Sequence, residues 1–295
     1  MPPLLVDRVT KMLSQLLISG FLMGLIFSLV AVGLTLIWGV VEIVNFAHGA
    51  FLMLGMYATY WLYRLLSIDP LFALPICTIL LFFVGIVTYR LMIRRVLTAP
   101  MVAQIFSTFG LMVFLENMAH FLWSSDYRLI KEPIVHGRLE VFGLFISKPQ
   151  LVAAAGAMVA TGLVYWFVTR TQTGRALQAT AEDKEAAALM GINSDRMFAL
   201  AWGIGGACAG AAGVLLANFY FIFPKVGDIF NLTAFVVVAL GGFGSIPGAF
   251  IAGIIIGLVQ VLGGHLVAPA FKSVIVFIIY LVVVIARPQG LFGKF

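Results

Sequence analysis

Apolar and polar positions alternate along this chain over the length of whole helices rather than single turns. Apolar runs cover Met12 to about Val41, Gly49 to Leu66, Pro70 to Met92, Met101 to Trp123, Leu151 to Val168, Phe198 to about Phe221, Phe230 to Leu240, Ala249 to about Val267, and Phe271 to Ala286. A spanning helix needs roughly 20 apolar residues, so the pattern predicts an all-α polytopic membrane bundle of about eight or nine transmembrane helices. All of it forms a single membrane domain, 1–295. Two interruptions are too short for comfortable loops: Glu42-Ile43-Val44-Asn45-Phe46-Ala47-His48, and Gly241-Gly242-Phe243-Gly244-Ser245-Ile246-Pro247-Gly248. Hydrocarbon offers backbone groups no partner, so such breaks are expected to be broken or re-entrant segments that line protein or a wet cavity. Ser124 to Lys148 is mixed and charged, with Pro133, Gly137 and Gly143 as breakers, and reads as a loop or short hairpin outside the bilayer.

Composition agrees with the pattern. Of 295 residues, 62% are apolar and 10% charged, with a mean hydropathy of +1.11, far from the roughly 25% charged of soluble domains. Little is left over for an extramembrane domain. The net charge of +6 comes from basic residues in short loops beside apolar runs, which points to the positive-inside pattern of a bilayer protein and not to nucleic acid. With the loop from Arg170 to Arg196 on the cytoplasmic side, Arg90, Arg94 and Arg95 and the C-terminal Arg287 and Lys294 also fall inside. The same count leaves the N-terminus outside with Arg8 and Lys11. Cys77 and Cys208 lie in apolar runs and read as small hydrophobes. The N-terminal MPPLLVDRVTKMLSQLL has an acidic residue and no small-residue cleavage site, so no removable signal peptide is expected.

The longest water-compatible segment runs from Arg170 to Arg196 between two apolar runs. Thr180 followed by Asp183 reads as a capping box, Glu182, Asp183 and Glu185 suit the positive end of a helix dipole, and Gly191 is placed to end the helix. The predicted helix is Ala181 to Met190. Its last turn, Ala186 to Met190, is almost wholly apolar, so Leu189 and Met190 are expected to press into a partner.

Three stretches carry a family resemblance. GRALQATAEDKEAAALMGI, with Glu185-Ala186-Ala187 at its centre, resembles the cytoplasmic "EAA" loop of ABC importer permeases; GLTLIWGVVEIVNFAHGAFLMLGMY (Gly33 to Tyr57) and ALGGFGSIPGAFIAG (Ala239 to Gly253) resemble signature stretches of the high-affinity branched-chain amino acid permeases. The closing ARPQGLFGK extends the match to the end of the chain. The resemblance implies a permease subunit of an ATP-binding cassette importer in the bacterial inner membrane, moving branched-chain amino acids or a related small polar solute; urea, amides and other small organic solutes occur in the same architecture. It implies a coupling helix docked in a groove on an ATPase subunit, here Arg175, Glu182, Asp183, Glu185, Ala186, Ala187, Leu189, Met190 and Gly191. The implied complex holds two ATP-binding subunits, a second permease chain, homologous or identical, and a periplasmic solute-binding protein.

The two breaks echo each other. His48-Gly49-Ala50-Phe51-Leu52 resembles Pro247-Gly248-Ala249-Phe250-Ile251, and interrupted segments at matching places in two halves point to a transporter's pathway. Asn45, Ala47, His48 and Gly49, with Gly241, Gly242, Gly244, Ser245 and Gly248, are therefore the pathway candidates, and the two sets are expected to face each other across a water-accessible route. Glu116, Asn117 and His120 are ionisable or polar groups inside one span; Glu116 and His120, four apart, are expected to pair structurally. Glu42 and His48 flank Asn45 at the cytoplasmic interface. The four His residues have no ligand spacing, so no metal is expected. No G-x-x-x-x-G-K-[ST] loop occurs, so ATP and Mg belong to partner subunits and this chain should bind no cofactor. Asn231-Leu232-Thr233 reads as an accidental glycosylation triplet. A membrane-embedded enzyme would need convergent acid/base groups, for which Glu116, Asn117 and His120 are the only candidates; a passive channel would need a filter ring and no apolar docking knob.

Overall fold

A computed structural model describes residues 3–141, 143–268, 271–287 and 289–293. Helix α1 (Pro3–Val41) is followed by the break and α2 (His48–Leu66). Then α3 (Pro70–Thr88), a π-helical turn (Tyr89–Ile93) and a short α4 (Arg94–Val96) run on continuously. Next come α5 (Met101–Trp123), a hairpin of β1 (Arg138–Val141) and β2 (Leu144–Ser147), α6 (Lys148–Arg170), α7 (Gln172–Glu182) and α8 (Lys184–Leu189). The chain closes with α9 (Ser194–Ala217), α10 (Val226–Gly241), α11 (Ile246–Leu266) and α12 (Lys272–Ala286).

The all-α membrane bundle is present. Six helical stretches among the described residues are long and apolar enough to cross a bilayer: Lys11–Val41, Pro70–Val96, Met101–Trp123, Lys148–Arg170, Ser194–Ala217 and Ile246–Leu266. Val226–Gly241 and Lys272–Ala286 are apolar but shorter, and α2, 19 residues long, starts at the buried break. Length and apolarity thus fall short of the eight or nine spans expected.

Burial separates centre from rim. α1 and α9 are sheathed by the other helices, whereas α3, α5 and α6 leave Phe72, Phe83, Phe106 and Trp166 exposed on their outer faces. Lipid tails are as apolar as these side chains, so association relies on close backbone approach and internal hydrogen bonds. Along the α3–α9 seam, a Cβ on Gly85 would fall on the Trp202 carbonyl, and one on Gly206 would lie 2.5 Å from the Leu81 carbonyl. Along α1–α11 the Ser28 hydroxyl reaches the Phe250 carbonyl, 2.8 Å away.

The outer loops lock onto the helices. Asp69 caps α3 by accepting from the Leu71 amide at 3.0 Å, and its second oxygen accepts from the Ile134 amide at 2.6 Å. Arg128 lies 5.3 Å from the ring centres of both Tyr60 and Trp61 and exchanges two backbone hydrogen bonds with Ile222, at 2.9 and 2.8 Å. The hairpin expected between Ser124 and Lys148 forms, with Arg138 opposite Ser147.

Candidate functional site

The segment between α6 and α9 is two helices rather than one. Thr171 begins α7, its hydroxyl accepting from the Gly174 amide at 2.9 Å, and Gly174, Leu177 and Thr180 form the buried stripe that lays α7 against the bundle. Thr180 is therefore not a cap. It sits inside α7 and donates to the Ala176 carbonyl at 2.8 Å. The cap is Asp183, whose carboxylate accepts from the Glu185 and Ala186 amides at 2.8 and 3.0 Å. The predicted Ala181–Met190 helix is in fact the end of α7, a corner at Asp183, and α8. Gly191, at φ +81°, reverses the chain as expected, with the Ile192 amide donating to the Ala187 carbonyl at 3.0 Å.

This geometry lifts the apolar end of α8 off the protein. Ala187 is buried, but Leu189 and Met190 are 89% and 83% exposed, while Glu182, Asp183, Lys184, Glu185 and Ala186 are also open to solvent. Arg175, on α7, is exposed too. A short helix with both ends fixed thus carries two large apolar side chains exposed at its tip.

The first break is largely buried, with Glu42 at its start exposed. Glu42 ends α1 with φ +58° in a position that glycine usually takes. Side chains meet several of the break's peptide groups: Thr108 of α5 donates to the Val44 carbonyl at 2.8 Å and Asn45 accepts from the Ala47 amide at 3.1 Å, while His48 Nε2 lies 2.9 Å from the Val30 carbonyl of α1. Asn231 of α10 supplies two more bonds, donating to the Phe46 carbonyl at 2.8 Å and accepting from the Gly49 amide at 3.2 Å. Asn45, Ala47, His48 and Gly49 are all buried, and Gly49 packs on the Gly227 carbonyl.

The second break is built differently. Gly241 and Gly248 touch backbone to backbone, Gly242 and Gly244 take φ +98° and +79°, and Ser245 caps α11 by accepting from the Gly248 amide at 3.1 Å. The Gly244 amide donates to Thr35 of α1 at 3.1 Å. Beyond α12 the chain returns to this place, the Leu291 and Phe292 amides donating to the Leu240 and Gly241 carbonyls at 2.8 and 3.1 Å; Lys294 lies outside the described residues. Gly244 and Ser245 open onto a cleft of about 560 Å³, whose other walls are Thr35 and Gly39 of α1, Tyr165 of α6, and Gln178 and Glu182 of α7. The structure thus brings the second break against α1 and α7, and holds the first against α10.

The polar groups of α5 are also redistributed. The Glu116 carboxyl lies near Asp228 and Lys225, and His120 Nδ1 turns to the Ser125 hydroxyl at 2.9 Å. The expected Glu116–His120 pair is not formed: the His120 ring is turned to Ser125 instead. Asn117 is exposed and donates to the Val113 carbonyl of its own helix at 2.7 Å. No group of three or more His, Cys, Asp or Glu that could hold a metal ion occurs among the described residues.

Multiple apolar crossings, breaks held by backbone-to-side-chain bonds and an apolar tip on a loop outside the spans define a multi-pass membrane protein of the transporter class. Comparison with known proteins narrows this. The family model of the branched-chain amino acid transport system permease component matches residues 16–284, and the chain belongs to that family. It is 32% identical over 294 residues to the high-affinity branched-chain amino acid transport system permease protein BraD of Pseudomonas aeruginosa, covering 95% of each chain. It is 32% identical over 297 residues to the corresponding LivH protein of Escherichia coli, again covering 95% of each. A probable branched-chain amino acid transport permease of Methanocaldococcus jannaschii is 28% identical over 282 residues, 90% of this chain and 88% of the relative. No solved structure matches.

Proposed function

We propose that this chain is the permease subunit of an ATP-binding cassette importer in the inner membrane, moving branched-chain amino acids or a related small polar solute, with ATP and Mg bound by separate ATPase subunits. The observation that carries the reading is the tip of α8. Each of Leu189 and Met190 forgoes roughly 1.5–3 kcal/mol of burial while it stays in water, and docking in an ATPase groove recovers it. Glu182, Asp183 and Glu185 frame that tip with charge, Ala186 and Ala187 give the helix a narrow profile, Gly191 turns the chain back, and Arg175 stands on the same exposed hairpin. Two ATPase subunits, a second permease chain and a solute-binding protein complete the machine, as the family's role in a transport system supports.

The solute route in this reading follows the two breaks: Gly241, Gly242, Gly244, Ser245 and Gly248 at the cleft, and Asn45, Ala47, His48 and Gly49 at the latch on α10. Nine helical stretches contribute to the crossings, the six long ones with α2, α10 and α12 as shorter members, and the N-terminus stands outside. The test is the pair Leu189→Asp and Met190→Asp in one chain. The doubly substituted chain should insert normally and lose solute-stimulated ATP hydrolysis in the assembled complex; unchanged stimulation would refute the docking role.

A further inference from the structure

The exposed tip of α8 leads directly into α9, and the first turn of α9 is fastened to α3. Asn193 caps α9, accepting from the Arg196 amide at 3.0 Å. Two residues on, Asp195 Oδ1 accepts from the Tyr89 hydroxyl at 2.9 Å and faces Arg94 Nε at 3.0 Å. Tyr89 is fully buried. It opens the π-helical turn Tyr89–Ile93, the one such turn among the described residues, and Arg94 follows that turn directly. In an α-helix, residues five apart point about 140° away from each other. The wider i→i+5 bonding of a π turn brings them onto one side, so the irregularity is what lets Tyr89 and Arg94 reach the same carboxylate.

Beyond this fastening the two helices are joined for most of their length. Gly85 meets the Trp202 carbonyl, and a Cβ on Gly206 or Gly210 would strike Leu81 at 2.5 or 2.6 Å, so the two backbones are in close contact with no room for a side chain between them. At the far end of α3, Asp69 holds the outer loop at Ile134. Hydrogen bonds at the two ends and close packing between them therefore run from the turn after α8 to the loop at Ile134. Of its two bonds at Asp195, the Arg94 pair is open to water, with side chains 60% and 43% exposed, and contributes little alone. The bond to buried Tyr89 carries the link.

We propose that Asp195 is a positioning residue for coupling: by holding Tyr89 and Arg94 at the π turn it makes α3 move as one body with α9 when the α7–α8 hairpin is pushed, carrying that motion to the outer loop at Asp69. The proposal rests on α8 being the ATPase contact. It is tested in the complete importer, this chain with its ATPase subunits and solute-binding protein in proteoliposomes, using Asp195→Ala, Asp195→Asn and Tyr89→Phe. All three should retain the ATPase subunits and hydrolyse ATP. Asp195→Ala and Tyr89→Phe should move about tenfold less solute per ATP hydrolysed, the low end of what losing one hydrogen bond to a charged group costs, while Asp195→Asn, whose amide oxygen still accepts from Tyr89, should recover most of the ratio. An unchanged ratio in Tyr89→Phe overturns the proposal, and that conservative variant decides alone if Asp195→Ala does not insert. Loss of the ATPase subunits in Asp195→Ala overturns it too, because Asp195 would then belong to the docking surface. Failure of the underlying reading shows elsewhere: Leu189→Asp with Met190→Asp would leave ATP hydrolysis coupled.

Discussion

A peptide group out of helical register inside a bilayer persists only when something hydrogen-bonds it, and at the first break one amide side chain does so twice. Asn231 bonds both the Phe46 carbonyl and the Gly49 amide. Replacing it with Ala leaves two buried backbone groups bare, at about 1–3 kcal/mol each. The Asn231→Ala protein in detergent should therefore unfold at a clearly lower temperature, followed by intrinsic fluorescence. A melting temperature unchanged by Asn231→Ala would remove the latch from the account. This residue was not legible in the sequence, where Asn231-Leu232-Thr233 is only a chance triplet: its partner amide lies 182 positions away, and no local pattern encodes a contact at that range.

Helix boundaries followed the apolar runs wherever hydrocarbon length set them. Met101 to Trp123 is α5 as read, and the hairpin near Pro133 and Gly143 is where the breakers put it. The loop between α6 and α9 was harder, because there tertiary packing and not bilayer thickness chooses the ends. Thr180 and Asp183 have the spacing of a capping box, yet Thr180 is inside α7, held there by the stripe of Gly174, Leu177 and Thr180 that packs on the bundle. That stripe was the available signal, short and mixed with charge. Asp183 then caps α8 alone, so Asp183→Ala should cost about 0.5–2 kcal/mol of local helix stability. In hydrogen exchange the amides from Glu185 to Leu189 should lose protection while those of α9 keep theirs; equal protection in both proteins would assign the cap elsewhere. At the second break, Gly248 touches the Gly241 backbone, so Gly248→Leu should depress transport more than the amount of protein inserted, since a side chain there separates α10 from α11.

On the scale of the whole molecule the two breaks are unlike, although their sequences echo each other. The echo correctly marked both as irregular backbone; it could not tell which would be covered, because that depends on Asn231 and Thr108 from distant helices. In the present conformation Ala47 is fully buried and Ser245 lines the large cleft. With Cys77 and Cys208 replaced, a cysteine at Ser245 should react readily with a small hydrophilic thiol reagent and one at Ala47 slowly, and ATP or the solute-binding protein should change both rates. Rates that are equal and indifferent to both would separate the breaks from the transport cycle.

Most of the account hangs on what the apolar tip of α8 touches. A photoactivatable cross-linker attached to a single cysteine at Met190, in the assembled importer within its membrane, reads that contact directly. The predicted result is a permease–ATPase adduct whose yield changes with bound nucleotide, and none from the same group placed at Phe106 on the exposed face of α5. Cross-linking from Met190 to lipid or to this chain alone, with the ATPase subunit present and active, would contradict the assignment of α8 as the coupling helix.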